Sequence, residues 1–549
     1  MTTPTTEAAA SDVRGGVDRI VAGVSAGALT AFVVAAVAGP DTVGGWVSTG
    51  FTKSASWFGF YWQILMFATF LVAIGLALTP WARARFGTKA PEFGRFKWVA
   101  MIMCTLLAGG GVFWAAAEPM YHYLNAPPFF GDVEVGSNEA AHVALAQSFV
   151  HWGFLAWAIL GSLAAIVIMH AVDKGMPLRP RSLLYPVLGK RVVTSPVGAA
   201  ADIVCIIAVV AGTVGPIGFL GLQVSYGLSS VFGLPDVYGV QLAVIAVLTA
   251  VAAVSVVSGV NRGIQFLSRV NVWLALALMA AVLVLGSAWY VLRAFVGGFG
   301  VYVTDFVGTS LYRGDPAWLS GWTVFFFGWF LGYAPLMAIF IARISRGRTV
   351  RDLIVSTAVL PPVATCLWFS VLGGTGIMLE QERPGAVSGP LNESGLPAAV
   401  MSIAEGLPLS TLVGLGFLVL TILFVATTTD SMSYAIAQSC TSEDHAGTKL
   451  RAVWALLMGA AAAVLISIGD GGISALQSFI VITAVPVGLI LLPSVFAAPV
   501  IVRRMAAEQG ITGWRQSGAT AETTTSSSAP TTAVAASTAA TDPAEGVSA

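Results

Sequence analysis

Six aromatic residues in one apolar stretch, Trp322, Phe325, Phe326, Trp329, Phe330 and Tyr333, recur at spacings of three and four. On an α-helix that spacing places them on one face. A wall of rings suits a cation with no hydrogen to donate, each face contributing about 0.5–2 kcal/mol when desolvated. Gly328, Gly332 and Pro335 interleave with the rings and are expected to loosen the backbone ladder beside them. Trp322 lies near the end of the stretch, where tryptophan ordinarily forms an interfacial belt. A second chemistry is offered by FVATTTDS, where Thr427, Thr428 and Thr429 precede Asp430 and Ser431. Hydroxyl oxygens suit a hard cation such as sodium, although threonines in membrane helices also bond back to their own carbonyls. An acid such as Asp430 inside an apolar segment is costly, and by default functional or paired.

The elements that position these residues must lie in lipid. The chain has 549 residues, of which 56% are hydrophobic and only 10% charged, with a mean hydropathy of +0.83, too little polar surface to cover a water-soluble globule. About twenty apolar residues cross the hydrocarbon core, and twelve such windows begin near residues 18, 57, 97, 141, 199, 238, 268, 321, 352, 408, 450 and 473. Of 27 Lys and Arg residues, 23 fall in alternate loops or at the termini, with only Lys53, Arg293, Arg313 and Arg383 opposite. By the positive-inside rule both termini are expected to be cytoplasmic, which requires an even number of spans.

The zero net charge gives no argument for nucleic acid. The five histidines are scattered along the chain and form no sequence cluster of the kind a membrane enzyme would need. The four cysteines, Cys104, Cys205, Cys366 and Cys440, have no paired spacing and read as packing residues. No cofactor is expected. Residues 1–16 read as a mobile leader, 17–505 as the membrane domain and 506–549 as a Ser/Thr/Ala-rich tail unable to bury a core.

AFVGGFGVYVTDFVGTSLYRGD, between the seventh and eighth spans, is too short in continuous apolar length to cross and is expected to lie along the outer interface. It leaves spans three to seven and eight to twelve, five on each side, as an inverted repeat. In transporters built that way the first helix of each half is Gly/Pro-interrupted at the site. Span three carries LAGGGVFWAAAEPMYHY, with Gly109, Gly110 and Gly111 as its hinge and Glu118-Pro119 at its outer end; span eight carries GWFLGYAPLM.

PEFGRFKW (Pro91 to Trp98), AEPMYHY (Ala117 to Tyr123), FIARISRGRTVRDL (Phe340 to Leu353) and TTTDSMSY (Thr427 to Tyr434) resemble segments of the betaine/carnitine/choline transporter family, in order across spans two to ten. The resemblance implies an all-α polytopic protein of about twelve spans with a LeuT-like 5+5 core. It also implies a carrier of quaternary-ammonium osmolytes in the cytoplasmic membrane, with a homotrimer as the assembly. It places an aromatic cage between spans four and eight, on Trp152, Trp157, Phe330 and Tyr333 with Trp329 beside them. It puts a sodium site on Phe424, Thr427 and Thr428, with span-three backbone near Cys104 and Leu107 as partner, and matches Thr213 to one position of a second ion site. This chain departs from the family at Val209, where a second hydroxyl would stand, at Leu160, where a tyrosine often completes the cage, and at Phe327, Phe330 and Tyr333, which stand at Trp-like positions. Sodium-driven symport is the leading expectation, ion-independent exchange the alternative, and a channel or osmosensor a weaker one.

Overall fold

In lipid every backbone N–H and C=O must find an internal partner, so the apolar windows form helices. The computed structural model describes residues 16–107, 111–131, 133–258, 261–441, 446–468 and 472–511; Gly109, Gly110, nearly all of the leader and most of the tail lie outside them. Span one is Arg19–Ala38, span two Pro40–Leu78, span three Arg95–Leu107 followed by Gly111–Leu124, span four Asn138–Asp173, span five Pro196–Phe232 and span six Tyr238–Ser258. Span seven is Asn261–Leu285, eight Pro316–Ile344, nine Val350–Glu382, ten Ser410–Ser439, eleven Thr448–Leu465 and twelve Ile473–Glu508. Among the described residues ten helices are long and apolar enough to cross by themselves, and span seven with the helix Ala288–Thr304 brings the number to eleven. Span three is the remaining expected span, described as two pieces on either side of residues 108–110. Ala288–Thr304 turns away from span seven by 103°, the geometry of a segment that leaves the membrane direction.

The packing is that of two equivalent halves. Span four packs on eight and its counterpart nine on three; five packs on twelve and ten on seven; five packs on eleven and ten on six; four packs on twelve and nine on seven. Spans five and ten pack on each other, as do six and eleven. These contacts recur when spans three to seven are exchanged for eight to twelve. An odd number of spans per half sets the second half upside down in the membrane. Burial follows this arrangement: the most apolar windows of spans four and eight are 89% buried and that of five 83%, against 28% for spans one and six.

The breaks fall in different places from those the glycines and prolines suggest. Span eight is helical without interruption from Phe325 to Ile344, straight through Gly328, Gly332 and Pro335, and its irregularity is a π-helical turn at Ser320–Val324. The glycines serve close packing instead: a Cβ on Gly328 would come within 2.9 Å of the Trp62 ring. Span four is broken twice, at Gly153 and at Ser162. At the first break Tyr302 of the bent helix supplies the missing backbone partner, its hydroxyl accepting the Phe154 N–H at 2.9 Å.

The basic loops interlock at one end of the molecule. Asp18 caps span one through the Val21 N–H and pairs with Arg179 at 3.0 Å. Arg181 joins Asp18 to the fully buried Asp202 of span five, the latter contact at 2.6 Å. The Asp18 N–H donates to the Cys440 carbonyl at the end of span ten, so this short stretch ties three parts of the bundle together. Arg346 pairs with Asp173 and Arg95 with Asp352.

Candidate functional site

Spans three, four, five, eight and nine converge on a buried aromatic box. Trp152, the last residue before the Gly153 break in span four, stands at its centre and is 1% exposed. Its ring meets Phe330 edge-on at 5.3 Å and Trp329 at 5.8 Å, with Phe326 at 5.4 Å and Phe369 of span nine at 5.1 Å. Trp329 and Phe330 lie nearly parallel, 13° apart. Edge-to-face pairs at these separations favour this mutual orientation of the rings.

Each polar tip has a partner that fixes its ring. The Trp329 indole donates to the Gly212 carbonyl of span five at 3.0 Å. A Cβ at Gly212 would lie 2.6 Å from the Tyr333 ring, so only glycine permits this approach of spans five and eight. The Tyr333 hydroxyl and Thr213 Oγ1 are 3.2 Å apart. The Trp152 indole donates to Glu118 Oε2 at 2.8 Å.

Trp152, Trp329 and Phe330 are therefore brought together, and Tyr333 adjoins them one turn along span eight. Trp157 lies beyond the Gly153 break and donates instead to Thr365 of span nine at 3.0 Å; among the described residues it forms no ring pair with the others. Leu160 is buried on the same short helix as Trp157. Trp322 is 9% exposed and packs on Tyr121, His122 and Trp114, so it belongs to the interior and not to an interfacial belt. It lies in the π-helical turn Ser320–Val324, with its ring toward span three.

The hydroxyls expected to hold sodium serve separate contacts. Thr213 donates to Val209 O at 2.8 Å and faces Tyr333. Thr427 donates to Leu423 O at 2.8 Å and accepts from Asn271 of span seven at 3.2 Å. Phe424 and Thr428 are each 7% exposed on span ten. Cys104 and Leu107 close the first piece of span three, next to residues 108–110; of the hinge glycines only Gly111 is described, at the start of the second piece. Asp430 pairs with Arg451 of span eleven at 3.0 Å, which accounts for a carboxylate at that depth.

Four contributors escaped the sequence reading. Trp114, Phe219, Phe369 and Glu118 all adjoin the box, yet span nine has no aromatic run and Glu118 reads as a helix-end acid. Two of the histidines that look scattered converge: Glu118 Oε1 lies 2.5 Å from His151 Nδ1 and 3.6 Å from His122 Nε2, all three side chains being 0% exposed.

Two opposed five-span halves closing on a buried aromatic box define a polytopic membrane protein built as a carrier. The chain belongs to the betaine/carnitine/choline transporter family, whose model matches residues 20–507. It is 48% identical over 485 residues to glycine betaine transporter 2 of Vibrio parahaemolyticus, covering 88% of this chain and 90% of that one. It is 32% identical over 445 residues to the glycine betaine transporter OpuD of Bacillus subtilis, covering 79% and 85%. Among solved structures, MhsT in complex with L-phenylalanine is similar with a TM-score of 0.38 and 16% identity, over 76% of this chain and 99% of that one.

Proposed function

We propose that this chain is a secondary transporter of glycine betaine or a closely similar quaternary-ammonium osmolyte, working in the cytoplasmic membrane with both termini on the cytoplasmic side. The observation that carries the reading is the placement of Trp152, Trp329 and Phe330 in mutual contact at the break of span four. A trimethylammonium group donates no hydrogen bond, and ring faces in a dry site are its best partners. Because these rings touch one another, substrate enters by parting them, and Gly153 gives span four the joint at which Trp152 moves. Trp157 contributes by holding span four against span nine, and Tyr333 by lining the exit beside Thr213. Alternating access then follows as one half rocks on the other. The sequence relatives named for glycine betaine support this substrate class.

We further propose sodium symport, with Phe424, Thr427 and Thr428 of span ten against span three. Ion-independent exchange is the second reading, favoured by Val209 and by the engagement of Thr213 with Tyr333. Assembly as a homotrimer is the family's pattern. Uptake of radiolabelled glycine betaine and choline into proteoliposomes decides between them. Accumulation that needs an inward sodium gradient supports symport, and uptake only against preloaded substrate supports exchange. Failure to move either compound under both conditions overturns the onium reading.

A further inference from the structure

The cluster beside the box has the composition and outer contacts of a transition-metal site. Glu118 and His122 sit one helical turn apart in span three, and His151 reaches them from span four. Their nearest ligand atoms all lie within 4.8 Å of one another, and every side chain is fully buried.

His122 is the observation that hydrogen bonding does not explain. Both of its ring nitrogens are buried without a hydrogen-bond partner among the described residues. Leaving a buried polar group without a partner is destabilising, so these nitrogens call for one. Its Nε2 lies 3.6 Å from Glu118 Oε1, too far for a hydrogen bond but close to the edge length of about 3.3 Å between ligand atoms on a tetrahedral ion with bonds of about 2.0–2.1 Å.

The remaining atoms of the cluster are arranged as the supporting contacts of a metal site are. His151 Nε2 lies 3.0 Å from both Gln147 Nε2 and Thr323 Oγ1, which fixes the ring with Nδ1 toward Glu118. Glu118 Oε2 is held by the Trp152 indole, leaving Oε1 toward both histidines. Such outer contacts set tautomer and orientation in metal sites. Trp318 and Trp322 close over His122, at 5.7 and 4.5 Å between ring centres, so the shell is apolar. His151 Nδ1 and Glu118 Oε1, now 2.5 Å apart, would separate by less than about 1 Å to share an ion.

We infer that Glu118, His122 and His151 form a binding site for a borderline divalent cation of the zinc type, with two imidazoles and one carboxylate as its ligands. Two nitrogen donors and one oxygen exclude magnesium and calcium as preferred occupants. The site stands independently of the substrate assigned to the box.

Isothermal titration of the purified, chelator-treated full chain with Zn²⁺ tests it, with Co²⁺ added in parallel to read the visible absorption of a tetrahedral ion. The expected result is one saturable site per chain. Affinity should fall at least about tenfold in His122→Ala and about tenfold in Thr323→Val, which leaves all three ligands in place and loosens only His151. Both variants are first checked for wild-type elution and melting in detergent. Absence of saturable binding, or binding unchanged in a folded His122→Ala protein, overturns the assignment.

Discussion

Glu118 Oε2 accepts the Trp152 indole N–H at 2.8 Å while the Trp152 ring stands edge-on to Phe330 at 83°. A carboxylate of span three thereby sets the orientation of the ring at the centre of the box. Trp152→Phe keeps an aromatic face but frees the carboxylate oxygen, a loss of about 1–2 kcal/mol, or roughly 5–30-fold. The expected outcome is a KM for glycine betaine raised by that factor in proteoliposome uptake. Trp152→Ala, which also removes the ring, should raise it further, and equal KM values in wild type and both variants would remove Trp152 from the site.

Gly212 allows spans five and eight to meet at the box. In Gly212→Ala the new methyl lies 2.6 Å from the Tyr333 ring, so the ring must shift and carry Trp329 with it. Betaine affinity should fall several-fold, and Tyr333→Ala in the same chain should relieve most of the added loss. A double-mutant cycle on substrate-induced tryptophan fluorescence measures the coupling.

Thr427 and Thr428 are adjacent on span ten, and the Thr427 hydroxyl is engaged with Leu423 O and Asn271. Under sodium symport at span ten, Thr427→Val and Thr428→Val are each expected to raise the sodium concentration for half-maximal uptake. Thr427→Val should also lower the melting temperature, because the Asn271 amide loses its acceptor. A sodium dependence unchanged in both variants would move the ion site away from span ten.

The ion pair of Arg181 with Asp202 is buried, the two side chains being 7% and 0% exposed. Removing Arg181 leaves the buried Asp202 carboxylate without its ion-pair partner and costs about 3–5 kcal/mol. Arg181→Met should therefore melt far below wild type in detergent. The double replacement Arg181→Met with Asp202→Leu should recover much of that loss.

Asp18 gives a pH dependence whose sign is fixed. Partial burial pushes its carboxyl up, but the Val21 N–H, then the bond and charge of Arg179, then Arg181, outweigh this and hold it below the ordinary value. A carboxylate lowered on folding stabilises above its unfolded value of about 3.9 and loses that contribution as pH falls through the folded value. Asp18→Asn should melt below wild type at neutral pH, and the gap should close as acidification protonates the carboxyl in the folded protein.

The all-helical membrane architecture, the order of its helices, their division into two five-span halves and the aromatic face of span eight were legible in the residues. They depend on apolar length and on the helical period, which are local quantities. The breaks were not. Pro335 and Gly332 suggested a loosened span eight, but packing against Trp62 and span five keeps it helical, while the irregularity falls at Ser320–Val324 and at Gly153. Family resemblance named Trp152 and Trp157 alike, and only the break between them turns one into the box and the other toward Thr365. His122 and His151 are 29 positions apart in the chain. Nothing local specifies that two helices from one half converge on a single Glu118 oxygen; the crossing of spans three and four decides it. Periodicity fixes which side of a helix a residue occupies, and the packing of neighbouring helices fixes what that side meets.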